Sequence, residues 1–278
     1  MLMLLFCYLL IFPQNASEPT RDALRFCVET LIPSLFIYTV LSKTVISLPM
    51  TQRATKRFGV ASITLLTGTL CGCPIGAKTA VSLYEKGVVD KKQAEYLCSF
   101  TNNASVSFII GYVGNELFGD VFVGARLLVY QTTASLVTAA IMKRVIYGKE
   151  RIPKATGMTV PKTSLREALS DGALTMINIT SCAVFFIVVS DAISHTVALS
   201  DQGNAILKSI LEFSSGCAES AKLDSFTIPF TAFSLGHCGA AVAMQVKSAT
   251  DGKLSIKPYI AGKLISCTVM TVLAIIFG

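Results

Sequence analysis

Two stretches, Val121–Met142 and Pro258–Phe277 (PYIAGKLISCTVMTVLAIIF), are long, nearly continuous runs of apolar residues. Such runs decide the class before any other feature is read. A helix needs about 20 apolar residues to cross a hydrocarbon core of roughly 30 Å, and backbone polar groups at that depth must be satisfied internally. Composition agrees: 52% of residues are hydrophobic, 15% are charged and the mean hydropathy is +0.61, outside the range of soluble domains. The chain reads as an all-α polytopic membrane protein. Its net charge of +7 comes from Lys and Arg in short loops between apolar runs. That is the positive-inside pattern, and no nucleic-acid-binding face is implied.

Further candidate helices are Leu24–Leu48, Ala61–Leu83, Ala94–Leu117, Leu165–Ala198, the shorter and more polar Gly203–Ala221, and Phe226–Val246. Pro33 is expected to kink the first of these. Residues 1–20 form a short apolar N-terminal segment whose start, MLMLLFCYLLIFP, lacks a basic leader, so it reads as a shortened first helix rather than as a signal peptide core. Residues 143–163 form a basic, Pro- and Gly-containing linker, expected in the cytoplasm.

The linker separates two related halves, residues 21–142 and 164–278. RDAL at Arg21–Leu24 returns as REAL at Arg166–Leu169, shifted by 145 residues, and GCPIGAK at Gly72–Lys78 returns as GCAESAK at Gly216–Lys222, shifted by 144. A looser echo joins Ser99–Ser107 to Ala232–Ala240. The Gly/Cys segments are too broken to span singly. If each enters and leaves on one face as a re-entrant hairpin, each half crosses about three times and the second half is inverted relative to the first. With the linker inside, Arg53, Lys56, Arg57, Lys86, Lys91, Lys92, Lys247, Lys253 and Lys257 all fall inside too, which favours the hairpins over full crossings.

Irregular backbone at membrane depth is tolerated only against protein or a wet cavity. Gly72, Pro74 and Gly76 let the chain reverse and start a short helix whose unpaired N–H groups suit an anion. The expected binding residues are Gly72, Cys73, Pro74 and Gly76 by backbone, Lys78 and Lys222 by charge, and Asn102, Asn103 and Ser105 as polar lining. From the second copy come Gly216, Cys217 and Glu219, with His237 nearby. Each has a plainer reading. Membrane glycines often serve close packing, Lys78 and Lys222 can snorkel to an interface, Asn102 and Asn103 can glue helices, and His237 can be a hydrogen-bonded interior histidine. Glu212 is noted as an ion partner for Lys222; Gln245, Asn178 and Thr180 are helix-gluing candidates. The nine cysteines lie in apolar segments without a CxxC pair and read as small filler, although Cys71, Cys73, His237 and Cys238 could approach one another. No metal or cofactor is expected. Nor is an enzyme, since no Ser-His-Asp or paired-carboxylate arrangement stands out.

The run LCGCPIGAKTAVSLYEKGVV followed by AEYLCSFTNNASVSFIIGYVG resembles the nucleoside-recognition (Gate) domain membrane proteins, in particular sporulation integral membrane proteins of the YlbJ type. The carrying residues are Gly72, Pro74, Gly76, Ala77 and Lys78, then Ala94 and Glu95, then Phe100, Asn102 and Asn103; Met244–Ser248 resembles the family's closing helix. Cys73 stands where the family has Tyr, and the N-terminus is shorter. The resemblance implies a fold related to concentrative nucleoside transporters and a role in moving dipicolinic acid, a small dianion, towards the forespore. Alternatives are a nucleoside or nucleobase carrier, or a non-transporting scaffold. Partners on this reading are the lipid bilayer and a small anionic substrate, with room for a second copy of the chain or other sporulation membrane proteins.

Overall fold

The computed structural model describes residues 2–46, 49–149 and 164–278, and all regular structure among them is helical. Most of the linker, residues 150–163, lies outside the described residues, as do the side chains of Arg53, Lys56 and Arg57. Among the described residues five helices are long and apolar enough to cross a membrane: Gln14–Leu41, Val121–Tyr147, Leu165–Thr196, Thr227–Thr250 and Lys257–Phe277.

After α1 (Leu2–Ile11), the first of these is built from α2 (Gln14–Phe26), a π-helical turn at Cys27–Leu31, and α3 (Ile32–Ile46). The widened turn directly precedes Pro33, whose missing N–H and ring disturb the hydrogen-bond ladder one turn earlier. The helix starts at Gln14, ten residues before the expected Leu24. Apolarity marks depth in the bilayer, not helicity, so the polar stretch Gln14–Arg25 was helical without announcing it.

The α4 helix (Pro49–Cys71) breaks at Gly59, where φ is 83° and ψ 163°. From Gly59 to Cys71 the rod is about 20 Å long, and α5 (Ile75–Glu85) about 16 Å. Neither reaches across roughly 30 Å of hydrocarbon. Next come α6 (Lys91–Thr101), an irregular break at 102–105, a π-helical rod over Phe108–Leu117, and α7 (Val121–Tyr147).

In the second half α8 (Leu165–Thr196) runs unbroken for 32 residues. It starts with a capping box in which Ser164 and Glu167 satisfy each other's backbone N–H. Then follow α9 (Asp201–Leu211), α10 (Phe213–Ser220), α11 (Thr227–His237), α12 (Gly239–Thr250) and α13 (Lys257–Phe277). The elements therefore repeat in order: long helix, two-armed hairpin, interrupted helix, long helix.

Loops from both halves gather at one end of the bundle. Lys253 pairs with Glu85, the Ser255 N–H donates to Glu95 at 2.8 Å, and the Lys92 ammonium lies 4.8 Å from the Tyr147 ring centre. The end of α5 lies here too, through the Glu85 carboxylate. The Glu85 carboxylate holds the Lys253 ammonium above the ordinary lysine range.

Candidate functional site

The first hairpin turns at Gly72–Pro74. Gly72 takes φ +81°, a conformation that L side chains rarely adopt, and the Cys73–Pro74 peptide bond is cis. The turn is docked on the α6 break by hydrogen bonds from both sides. Asn102 Oδ1 accepts from the Ala77 N–H at 2.8 Å while its Nδ2 donates to the Cys98 carbonyl at 3.0 Å. The Cys73 thiol donates to the Asn103 carbonyl at 3.2 Å. Gly76 allows this docking, because a Cβ there would strike the Thr101 carbonyl. Behind the break, Gln131 of α7 pairs with Ala104 in both directions, accepting from its N–H at 3.0 Å and donating to its carbonyl at 2.9 Å. Within the break the Ala104 N–H and carbonyl are thus satisfied by a side-chain amide and the Asn103 carbonyl by a thiol, as irregular backbone in an apolar surround requires.

The second hairpin turns at Leu211–Phe213, five residues before the expected counterpart at Gly216–Cys217. Its turn uses neither Gly nor Pro. Glu212 folds back to cap α10, its carboxylate accepting from the N–H groups of Ser214 at 3.1 Å and Ser215 at 2.8 Å and from the Ser214 hydroxyl at 2.5 Å. A carboxylate at a helix start also meets the positive end of the helix dipole. Gly216 lies one turn inside α10, where a Cβ would fall 2.5 Å from Ser209 Cα, so it packs the two arms together. The 144-residue echo matched a packing glycine with a turn glycine.

The two tips meet at one cavity. Its walls include Gly72 and Cys73 from the first tip, Ala104 and Ser105 from the α6 break, Glu212 and Phe213 from the second tip, and Gln245 from α12. The remaining wall is apolar, from Leu31, Leu35 and Phe108 and from Ile179 and Ala183 of α8. It offers about 30 Å³ to the centre of a water molecule, room for about two waters. A ring-sized ligand enters only if the walls part.

Of the residues expected from sequence, Gly72, Cys73 and Ser105 line the cavity, and Pro74, Gly76, Asn102 and Asn103 hold that wall from behind. The others are brought elsewhere. Lys78 donates to the Thr175 hydroxyl of α8 at 2.8 Å. Lys222 is at the far end of α10 from the tip, with its side chain 71% exposed and 3.6 Å from Glu219. Glu219 chiefly receives Lys208, at 3.0 Å, which also lies 3.5 Å from Asp191 of α8. Cys217 is buried within α10. His237 stacks on Phe233 at 5.9 Å and its Nδ1 accepts from the Gly239 N–H at 3.1 Å. Asn178 donates to Ser248, joining α8 to α12. Cys73 and Cys238 share one buried cluster, but no group of three metal-ligating residues forms among the described residues.

Sequence reading passed over Gln131, Tyr259 and Lys263. Gln131 gave no local signal, because its partner is 27 residues away. Tyr259 and Lys263 lie on α13, 2% and 5% exposed. Lys263 had a signal that could have found it: an ionisable residue inside a span is by default a functional candidate.

Part of the chain is similar to a characterised protein. Over 169 residues it is 28% identical to the sporulation integral membrane protein YlbJ of Bacillus subtilis (strain 168). The match spans 56% of this chain and 41% of that protein's length. No protein-family model matches the chain, and no solved structure does. Taken with its five apolar helices, the similarity makes this chain a multi-pass integral membrane protein with a relative named for sporulation.

Proposed function

We propose that the chain is a carrier, not an enzyme, in which two hairpins dip into the membrane from opposite faces and their tips close a central cavity. The observation that supports this reading most is the composition of that cavity's wall, to which both tips, the α6 break and α12 contribute. Arms of about 12–20 Å are too short to cross a bilayer, and a site enclosed by broken helices of two repeats is the plan of many secondary transporters. Rocking of one half against the other would open the cavity to each side in turn.

The cargo on this reading is a small anionic metabolite, dipicolinic acid by the Gate-family resemblance, crossing the forespore membrane of a sporulating cell. A second reading has a specific observation in its favour. Glu212 lines the same cavity, and a carboxylate with amide neighbours suits a neutral, hydrogen-bonding cargo such as a nucleoside. Purified protein in sealed vesicles, assayed for uptake of radiolabelled pyridine-2,6-dicarboxylate with nucleosides as competitors, decides between them. Saturable uptake resistant to nucleosides is expected. Uptake only of nucleosides would move the assignment to the second reading, and no uptake of either would leave the scaffold role.

A further inference from the structure

The α11 and α13 helices run antiparallel. Pro229 and Phe230 share a groove with Thr271 and Ile275, and Gly236 lies where a Cβ would meet Cys267 Cα at 2.6 Å. Four residues towards the start of α13 from Cys267, on the same face, is Lys263, which therefore comes level with the His237–Cys238 break. The break itself is two residues of positive φ, Cys238 at 64° and Gly239 at 72°, and a Cβ on Gly239 would meet the Leu211 carbonyl of the second tip at 3.0 Å. One more turn back is Tyr259, in the same cluster as Cys73, Cys98, Cys238 and Val242. The helix is held on its other side by Gly262, which abuts the Ser99 carbonyl of α6.

These groups share one property: they donate. The Tyr259 hydroxyl is buried with no hydrogen-bond partner. No Asp or Glu pairs with Lys263 among the described residues. The nearby Glu212 carboxylate is already engaged by Ser214 and Ser215. The break also begins α12, whose first N–H groups lack intrahelical acceptors and carry the positive end of the helix dipole. Lys263 is about 9 Å into α13 and 5% exposed, so its ammonium is not at an interface. An ammonium at such a depth is costly and needs a counter-charge.

We propose that Lys263 and Tyr259, beside the start of α12, form a carboxylate-binding subsite for the transported anion, reached when the first hairpin tip lifts Cys73 away from Cys238. This rests on the carrier reading and names the charge that neither Lys78 nor Lys222 supplies at the tips. The ammonium takes one oxyanion, the phenol donates to it, and Cys73 forms a wall common to this subsite and the central cavity.

The test is equilibrium binding to the purified full chain in lipid nanodiscs, with pyridine-2,6-dicarboxylate and its uncharged diamide as probes. Wild type should bind the diacid well above the diamide. K263Q should lose roughly thirty-fold or more in diacid affinity, the scale of one charge-assisted contact, with the diamide unchanged, and K263R should recover most of the loss. Y259F removes a hydroxyl that has no protein partner, so the fold tolerates it, and should lose about five-fold. It decides the matter if K263Q does not fold. C238S should stay within about three-fold. Wild-type diacid affinity in K263Q or Y259F would overturn the subsite and leave the carrier reading intact. A loss in C238S equal to that in K263Q would also overturn it, giving the ammonium to the thiol. Wild type that binds nucleosides but no diacid removes the subsite alone, and wild type that binds neither removes the carrier reading as well.

Discussion

The two hairpins reach the same cavity by different chemistry. The first turns on a glycine in a left-handed conformation followed by proline, and is fastened to the α6 break by Asn102 and Cys73. The second turns on one glutamate that caps the helix leaving it. A Gly/Pro turn is permissive backbone that its surroundings must hold, whereas a side-chain cap carries its own fastening. The first tip should therefore depend on its neighbour, and the second on itself.

Substitutions at four positions probe that difference, each read as thermal stability of the purified protein in one detergent. Gly76→Ala, which drives a Cβ into the Thr101 carbonyl, should have the largest effect, about 3 kcal/mol, because backbone on both sides resists. If G76A is neutral, the first hairpin is not docked tightly. Glu212→Ala removes three acceptor contacts at the second tip and should cost about 2 kcal/mol; Glu212→Gln, which keeps an acceptor, should recover part of it. Asn102→Ala leaves the buried Ala77 N–H without its acceptor and should cost about 1.5 kcal/mol. Limited proteolysis should locate that loss in the first hairpin and the Glu212→Ala loss in the second; the reverse pattern would refute the contrast. Lys222→Met should change stability by less than about 0.5 kcal/mol, since the side chain is mostly exposed. A larger drop would mean that the far end of α10 is more than a solvated terminus.

Legibility in the sequence followed the same division. The first tip could be read directly, because Gly72 and Pro74 are conformational requirements written as residue types, with Gly76 beside them for close packing. The second could not. Glutamate is a common residue, and its role as a cap depends on the side chain turning back towards Ser214 and Ser215. The repeat signal then misled by five residues, since Gly216 and Gly72 look alike while one packs against Ser209 and the other turns the chain. The broken helix at Asn102–Asn103 was visible as polar residues in an apolar run; its counterpart was not, being two residues of positive φ, Cys238 and Gly239, between two helices.

Charge shows the limit most plainly. Hydropathy and helix length, which are sums along the chain, determined that this protein lives in a membrane and where its long helices run. Among lysines, though, Lys78 reaches Thr175 of α8, Lys222 lies exposed at the end of α10, and Lys263 is buried beside Cys238. Helical periodicity tells which residues share a face. Which face meets lipid, water or another helix is decided only when the helices pack, because burial is a property of neighbours distant in the chain.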